Sequence, residues 1–171
     1  AAWNSGFKIF DKQGNLLVDE ASLGTLFEGN TEGDPIVLYD APADRFIITE
    51  FEKDNQSGGV NGLNIAICKG SDPVNDGWYI YTAGFETGEF PDYPKYSVWH
   101  DGYYITSNIL INTDTAGNKS NAIFVMEREK MLQGLANVGF LGFPLPTLQT
   151  NGFFSPQFFN VSSPQAPTTG P

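Results

Sequence analysis

Two stretches of the chain share one pattern of hydrophobic and polar positions. The first runs Asp34-Pro35-Ile36-Val37-Leu38-Tyr39-Asp40 and leads into Asp44-Arg45-Phe46-Ile47-Ile48-Thr49-Glu50-Phe51. The second runs Asp92-Tyr93-Pro94-Lys95-Tyr96-Ser97-Val98-Trp99 and leads into Asp101-Gly102-Tyr103-Tyr104-Ile105-Thr106-Ser107-Asn108. Each has an Asp/Pro entry, a short apolar run, an Asp-containing turn and a longer aromatic run with a Thr near its end. Apolar runs bounded by turn residues predict a β-hairpin in both places. After the first hairpin, the polar, glycine-rich residues 52–62 read as an exposed loop, and Leu63 to Cys68 as a third strand. Ser71 to Gly77 is turn chemistry throughout, and Trp78-Tyr79-Ile80-Tyr81 is a fourth strand. In the second copy, residues 112–121 form the polar loop and Ala122 to Met126 takes the slot of the third strand.

The spacing keeps register. Asp44 to Asp101 is 57 positions and Ile65 to Ile123 is 58. A period of that size with four strands per unit falls near propeller-blade lengths and far from helical repeats. The predicted fold class is all-β: a partial β-propeller of two four-stranded antiparallel blades, with a flanking strand and an extended C-terminal segment. The expected boundaries are 1–33 for a strand of a preceding blade and a loop, 34–90 for the first blade, 91–150 for the second, and 151–171 for an extended tail or linker. Within the first of these, residues 3–10 alternate as a strand, Asp11 to Asn15 is a tight turn, Leu16 to Val18 a short return, and residues 19–33 are loop-like. After Met126 the pattern departs from the first copy. Glu127 to Gly134 predicts one or two helical turns, and Phe153, Phe154, Phe158 and Phe159 are anchors in a Phe-, Pro-, Thr- and Ser-rich tail. Two blades do not close a ring, because each blade's apolar faces need neighbours. The rest of a parent chain or a larger assembly is therefore the expected partner.

Composition sharpens this picture. Aromatic residues make up 14% of the 171 positions against 17% charged, which favours a turn-rich β core over helices. The net charge of −11 argues against binding a nucleic-acid backbone, which needs basic patches. No apolar run reaches the roughly 18 residues of a membrane span. The one cysteine, Cys68, has no partner for an intramolecular disulfide and reads as a small buried hydrophobe. The chain opens Ala1-Ala2-Trp3-Asn4 with neither Met nor a basic leader, so it is expected to be a processed or trimmed piece of a longer protein.

Four motifs in order carry a family resemblance. They are Gly33 to Phe46 (Gly-Asp-Pro, apolar run, Tyr-Asp, Ala-Asp-Arg-Phe), Ser71 to Tyr81 (Ser-Asp-Pro, then Gly-Trp-Tyr-x-Tyr), Phe90 to Tyr104, and Glu127 to Gly134 (Glu-Arg-x-Lys-Met-Leu-x-Gly). Over residues 33–134 the chain resembles the propeller-like repeat region of large secreted and cell-surface bacterial proteins of the Bacteroidetes type. Many of these are exported by the type IX route and some serve in adhesion. The resemblance implies an extracellular or cell-surface location and a binding, adhesion or structural role, with a glycan or surface protein as the candidate partner. It implies no single chemistry. In that setting Asp114-Thr115-Ala116 is similar to a Bacteroidetes O-glycosylation site, which makes Thr115 a candidate glycosylation residue.

Candidate chemistry is sparse. Five-bladed glycosidases also open blades with Asp-Pro and an Asp-Gly-x-Tyr hairpin, so the alternative reading is part of a carbohydrate-active enzyme whose catalytic groups lie largely outside this chain. Asp34 and Asp92, at equivalent positions of the two copies, are then the nearest candidates for the two carboxylates, and turn capping is their structural role otherwise. No catalytic residue is assigned. The candidate ligand-binding residues are Asp34, Asp92, Trp99 and Tyr103; Tyr93, Tyr96, Trp99, Tyr103 and Tyr104 form either a sugar-stacking platform or inter-blade core. His100 is the single histidine, too few for a zinc site. No cofactor or metal site is assigned. Calcium is the one ion with oxygen ligands on offer, in three loops: Asp54-Asn55, Asp72/Asn75/Asp76 and Asn112/Asp114/Asn118, none with the Asp-x-Asp-x-Asp-Gly pattern and a distant Glu.

Overall fold

A computed structural model of the chain describes residues 1–53, 60–85, 89–111, 118–144 and 156–165. These residues are dominated by β-strands, and they divide into two compact units. The first comprises Ala1–Tyr39 and Asp44–Gly84, the second Asp40–Ala43 and Phe85–Pro171.

The first unit begins with a three-stranded sheet of β1 (Ala2–Trp3), β2 (Gly6–Phe10) and β3 (Leu16–Ser22). The β2–β3 turn is set by Asp11, whose carboxylate accepts from the Gln13 and Asn15 amides at 2.9 and 2.8 Å while Gly14 takes φ 88°. Ser22 caps the one-turn helix α1 (Leu23–Leu26) by accepting from the Gly24 amide. This corrects the loop-like reading of 19–33. The pattern Asp19-Glu20-Ala21-Ser22 is polar because β3 is a solvent-facing edge whose pairing with β2 is made by backbone. Beneath it, Phe7, Leu23 and Phe27 pack on Ile48 and Ala66, with Trp78 alongside.

The second sheet of this unit has the order β4-β5-β6-β7: Ile36–Asp40, Arg45–Lys53, Val60–Cys68 and Trp78–Gly84. Ile47 to Phe51 in β5 and Leu63 to Cys68 in β6 are buried without interruption, as expected of central strands covered on both faces. The edge strands β4 and β7 alternate instead, leaving Val37, Tyr39 and Ile80 exposed.

The second unit repeats the plan. Its sheet has the order β11-β10-β9-β8: Phe140–Pro144, Asn118–Glu127, Gly102–Ile111 and Glu89–Val98. In the first unit Thr49 pairs with Ile65 and Ile65 with Tyr81; in the second Thr106 pairs with Ile123 and Ile123 with Phe143. Ile65 and Ile123, aligned by their spacing in the sequence, thus occupy the same place in their sheets. The fourth strand is β11, reached through the short helix α2 (Arg128–Leu132) rather than through a turn like Ser71 to Gly77. A bulge interrupts β8 between Asp92 and Lys95, with Tyr93 at φ 51°. Neither four-stranded sheet closes on itself. No helix among the described residues is long and apolar enough to cross a membrane.

Candidate binding site

The turn from β8 to β9 and the first residues of β9 build a concave aromatic surface in the second unit. Alternation along β9 decides which rings take part. Tyr103 and Ile105 point inward and are buried, so Tyr104 points out and is half-buried. Trp99 sits in the turn, its amide donating to the Gly102 carbonyl at 3.0 Å. A segment distant in sequence then supplies two more rings. The Val161 amide donates to the Val98 carbonyl at 2.9 Å, and Asn160 Oδ1 accepts from the Val98 amide at 2.8 Å. The hydroxyls of Ser97 and Thr106 donate to the carbonyls of Phe158 and Pro156. So tied, the segment sets the Phe158 ring 5.3 Å from that of Tyr104, tilted by 46°. Phe159 is left 84% exposed. Trp99, Tyr104, Phe158 and Phe159 enclose a cleft of about 160 Å³. The Tyr104 hydroxyl donates to the exposed Asp101 carboxylate at 3.2 and 3.3 Å. Burial, then the charge of Asp101, raises the Tyr104 phenol above the usual range, so it stays protonated.

Beneath this surface lies a buried ion pair that the sequence did not reveal. Asp40 is fully buried and accepts from Arg128 Nε at 2.6 Å and Nη2 at 2.9 Å. The Tyr103 hydroxyl donates to the same carboxylate at 2.6 Å, and the Ala43 amide at 3.1 Å. Arg128 Nη1 also reaches the His100 carbonyl at 3.4 Å. Burial, reinforced by the Asp40 charge, pushes the Tyr103 phenol far up, so it acts as a fixed donor. With every carboxylate lone pair directed at a protein donor, the cluster is an anchor for α2 and β9. Nothing in it is open to a ligand.

Of the four residues singled out from sequence, Trp99, Tyr103 and Asp92 lie in the second unit and Asp34 in the first. Trp99 lines the cleft, whereas Tyr103 lies in the anchor below it. Asp92, in the second unit, accepts from the Tyr93 amide at 2.8 Å in the β8 bulge. Asp34, in the first unit, is exposed at φ 54° with its amide donating to Asn4 Oδ1. Thr115, the Asp54-Asn55 loop and Asn112/Asp114 lie outside the described residues. In the remaining calcium-candidate loop, the Asp72 carboxylate accepts from the Val74 amide at 2.9 Å and from Asn75 Nδ2 at 2.7 Å, and Asp76 Oδ2 accepts from the Asp72 amide at 2.9 Å. These hydrogen bonds hold the turn itself together. Among the described residues no three His, Cys, Asp or Glu side chains gather as a metal site.

The first unit has two features of its own. An apolar cleft of about 520 Å³ opens between the N-terminal sheet and β5, lined by Phe7, Ile9, Val37, Phe46, Ile48 and Trp78 among others. Nearby in the chain, Glu50 is a carboxylate 1% exposed, with the Gly33 amide donating to Oε2 at 3.3 Å and Oε1 lacking a partner. Burial raises its pKa to about 7, against the lowering effect of the Gly33 hydrogen bond. A Glu inside the apolar run Ile47 to Phe51 was the sequence signal for it.

No family model, curated protein or solved structure matches the chain.

Proposed function

We propose that this chain is a binding, adhesion or structural module of a secreted or cell-surface bacterial β-propeller protein of the Bacteroidetes, type IX-exported kind. The observation that carries the reading is the shared register of the two four-stranded sheets, in which Thr49–Ile65–Tyr81 and Thr106–Ile123–Phe143 are equivalent rows. A four-stranded sheet repeated at this interval suits successive propeller blades, about four to eight of which complete a ring. Exposed apolar residues on edge strands, Val37, Tyr39 and Ile80 in the first unit and Leu141 and Phe143 in the second, suit surfaces that neighbouring elements cover. The net charge of −11 and the motif resemblance support an extracellular setting. The binding face is the aromatic cleft at Trp99.

A panel of immobilised glycans and surface proteins tests this with the parent protein and its Asp34→Asn variant. Binding retained by both, without turnover of the ligand, is the expected result. Sugar hydrolysis abolished by Asp34→Asn would instead place the chain in a carbohydrate-active enzyme.

A further inference from the structure

We propose that the cleft formed by Trp99, Tyr104, Phe158 and Phe159 holds an alkylated ammonium head group, with the Asp101 carboxylate as its counter-charge. This names the ligand class for the binding face assigned above and rests on that reading.

The lining selects the ligand. Four rings enclose the space, and the phenol of Tyr104 is already committed to Asp101. The lining therefore offers few directional groups of the kind that fix a sugar's hydroxyls. What it offers is π-faces, and a ring face is the negative end of its quadrupole. An exposed carboxylate next to one ring, no Lys or Arg in the lining and a net charge of −11 favour a cation over a neutral apolar group. A weakly hydrated, methylated ammonium loses less on entering than a primary one. The same unit already uses this contact, since Lys95 Nζ lies 3.2 Å from the centroid of the Tyr93 ring. Size sets a limit as well. A cleft of about 160 Å³ is smaller than the roughly 300–1,000 Å³ of sites that enclose a drug-sized ligand. It takes a head group and leaves the remainder outside. Finally, Phe159 is an apolar ring held 84% exposed at the mouth by a hydrogen-bonded segment, where a ligand would cover it.

Choline chloride is the probe, titrated against the 171-residue chain and followed by the Trp99 indole N–H resonance in NMR. Its uncharged isostere 3,3-dimethyl-1-butanol is the control. Saturable choline binding at least about 5-fold tighter than the isostere is expected. Because Phe159 is exposed, Phe159→Ala leaves folding intact and should weaken choline about 5-fold. Asp101→Asn should weaken it about 2- to 5-fold and reduce its salt dependence. Co-sedimentation with phosphatidylcholine but not phosphatidylglycerol vesicles would assign the head group to a lipid. Choline binding without co-sedimentation would assign it to a free solute. The proposal falls if choline gives no saturable shift, if the isostere binds equally, or if Phe159→Ala binds unchanged. Methyl glucoside or a proline-rich peptide shifting the Trp99 resonance where choline does not would overturn the ligand class and leave the binding role standing.

Discussion

Removing Asp40 is the sharpest perturbation of the second unit. The carboxylate is fully buried and receives two guanidinium N–H groups, at 2.6 and 2.9 Å, the Tyr103 hydroxyl at 2.6 Å and the Ala43 amide at 3.1 Å. Asp40→Ala leaves the guanidinium of Arg128, only 8% exposed, without its counter-charge and the Tyr103 phenol without an acceptor. Attraction alone overstates the loss, because forming the pair also cost the hydration of both ions. Breaking one side of such a pair removes about 3–5 kcal/mol. Replacing both ions by apolar groups of like size, Asp40→Leu with Arg128→Met, removes the stranded charge and should return to within about 1–2 kcal/mol of the parent. Urea-dependent amide hydrogen exchange of Gly102–Ile111 reads the unit that holds the cluster. A loss below about 1 kcal/mol for Asp40→Ala would refute the reasoning. So would a double variant as unstable as the two single changes added together.

Further expectations follow from the same kind of reading. Glu50 has a folded pKa of about 7, above the ordinary 4.5 of an unfolded glutamate, so the native state holds its proton more tightly. Stability should therefore fall as pH rises from about 4.5 to 7 and level off above that. Glu50→Gln should flatten this slope and gain about 1–3 kcal/mol at pH 8 in urea titrations, because no charge is then buried. A Cβ at Gly62 would meet the Ala83 carbonyl oxygen at 2.6 Å and Glu52 Oε2 at 2.7 Å. Gly62→Ala should thus cost about 1–3 kcal/mol, read as a lowered urea midpoint. Asn160→Ala withdraws the acceptor of the buried Val98 amide. It should cost about 1–2 kcal/mol and speed proteolysis within residues 156–161.

The hairpins were legible because turn residues bracket each apolar run, and because Ile65 and Ile123 keep step with Thr49 and Thr106. Other features left no trace in local pattern. β3 is polar along Asp19 and Glu20, since an edge strand is held by backbone pairing and needs no apolar face. β11 restores a fourth strand after α2, where the charged stretch Glu127 to Lys130 hid the continuity of the second copy. Alternation dictated that one of Tyr103 and Tyr104 faces inward but not which one; the Asp40 carboxylate decides it. That pairing spans 88 residues between Asp40 and Arg128, a separation at which no spacing rule speaks. The cleft depended on Phe158 and Phe159, visible as apolar anchors, and on an Asn160 side chain substituting for a strand's carbonyl, which was not.

Cryo-electron microscopy of the intact parent protein tests the central claim most directly. The account predicts a ring in which the sheets of Ile36–Gly84 and Glu89–Pro144 are blades around one axis, with further sheets completing the circle. Density showing the two sheets joined edge to edge, or no ring around them, would contradict it.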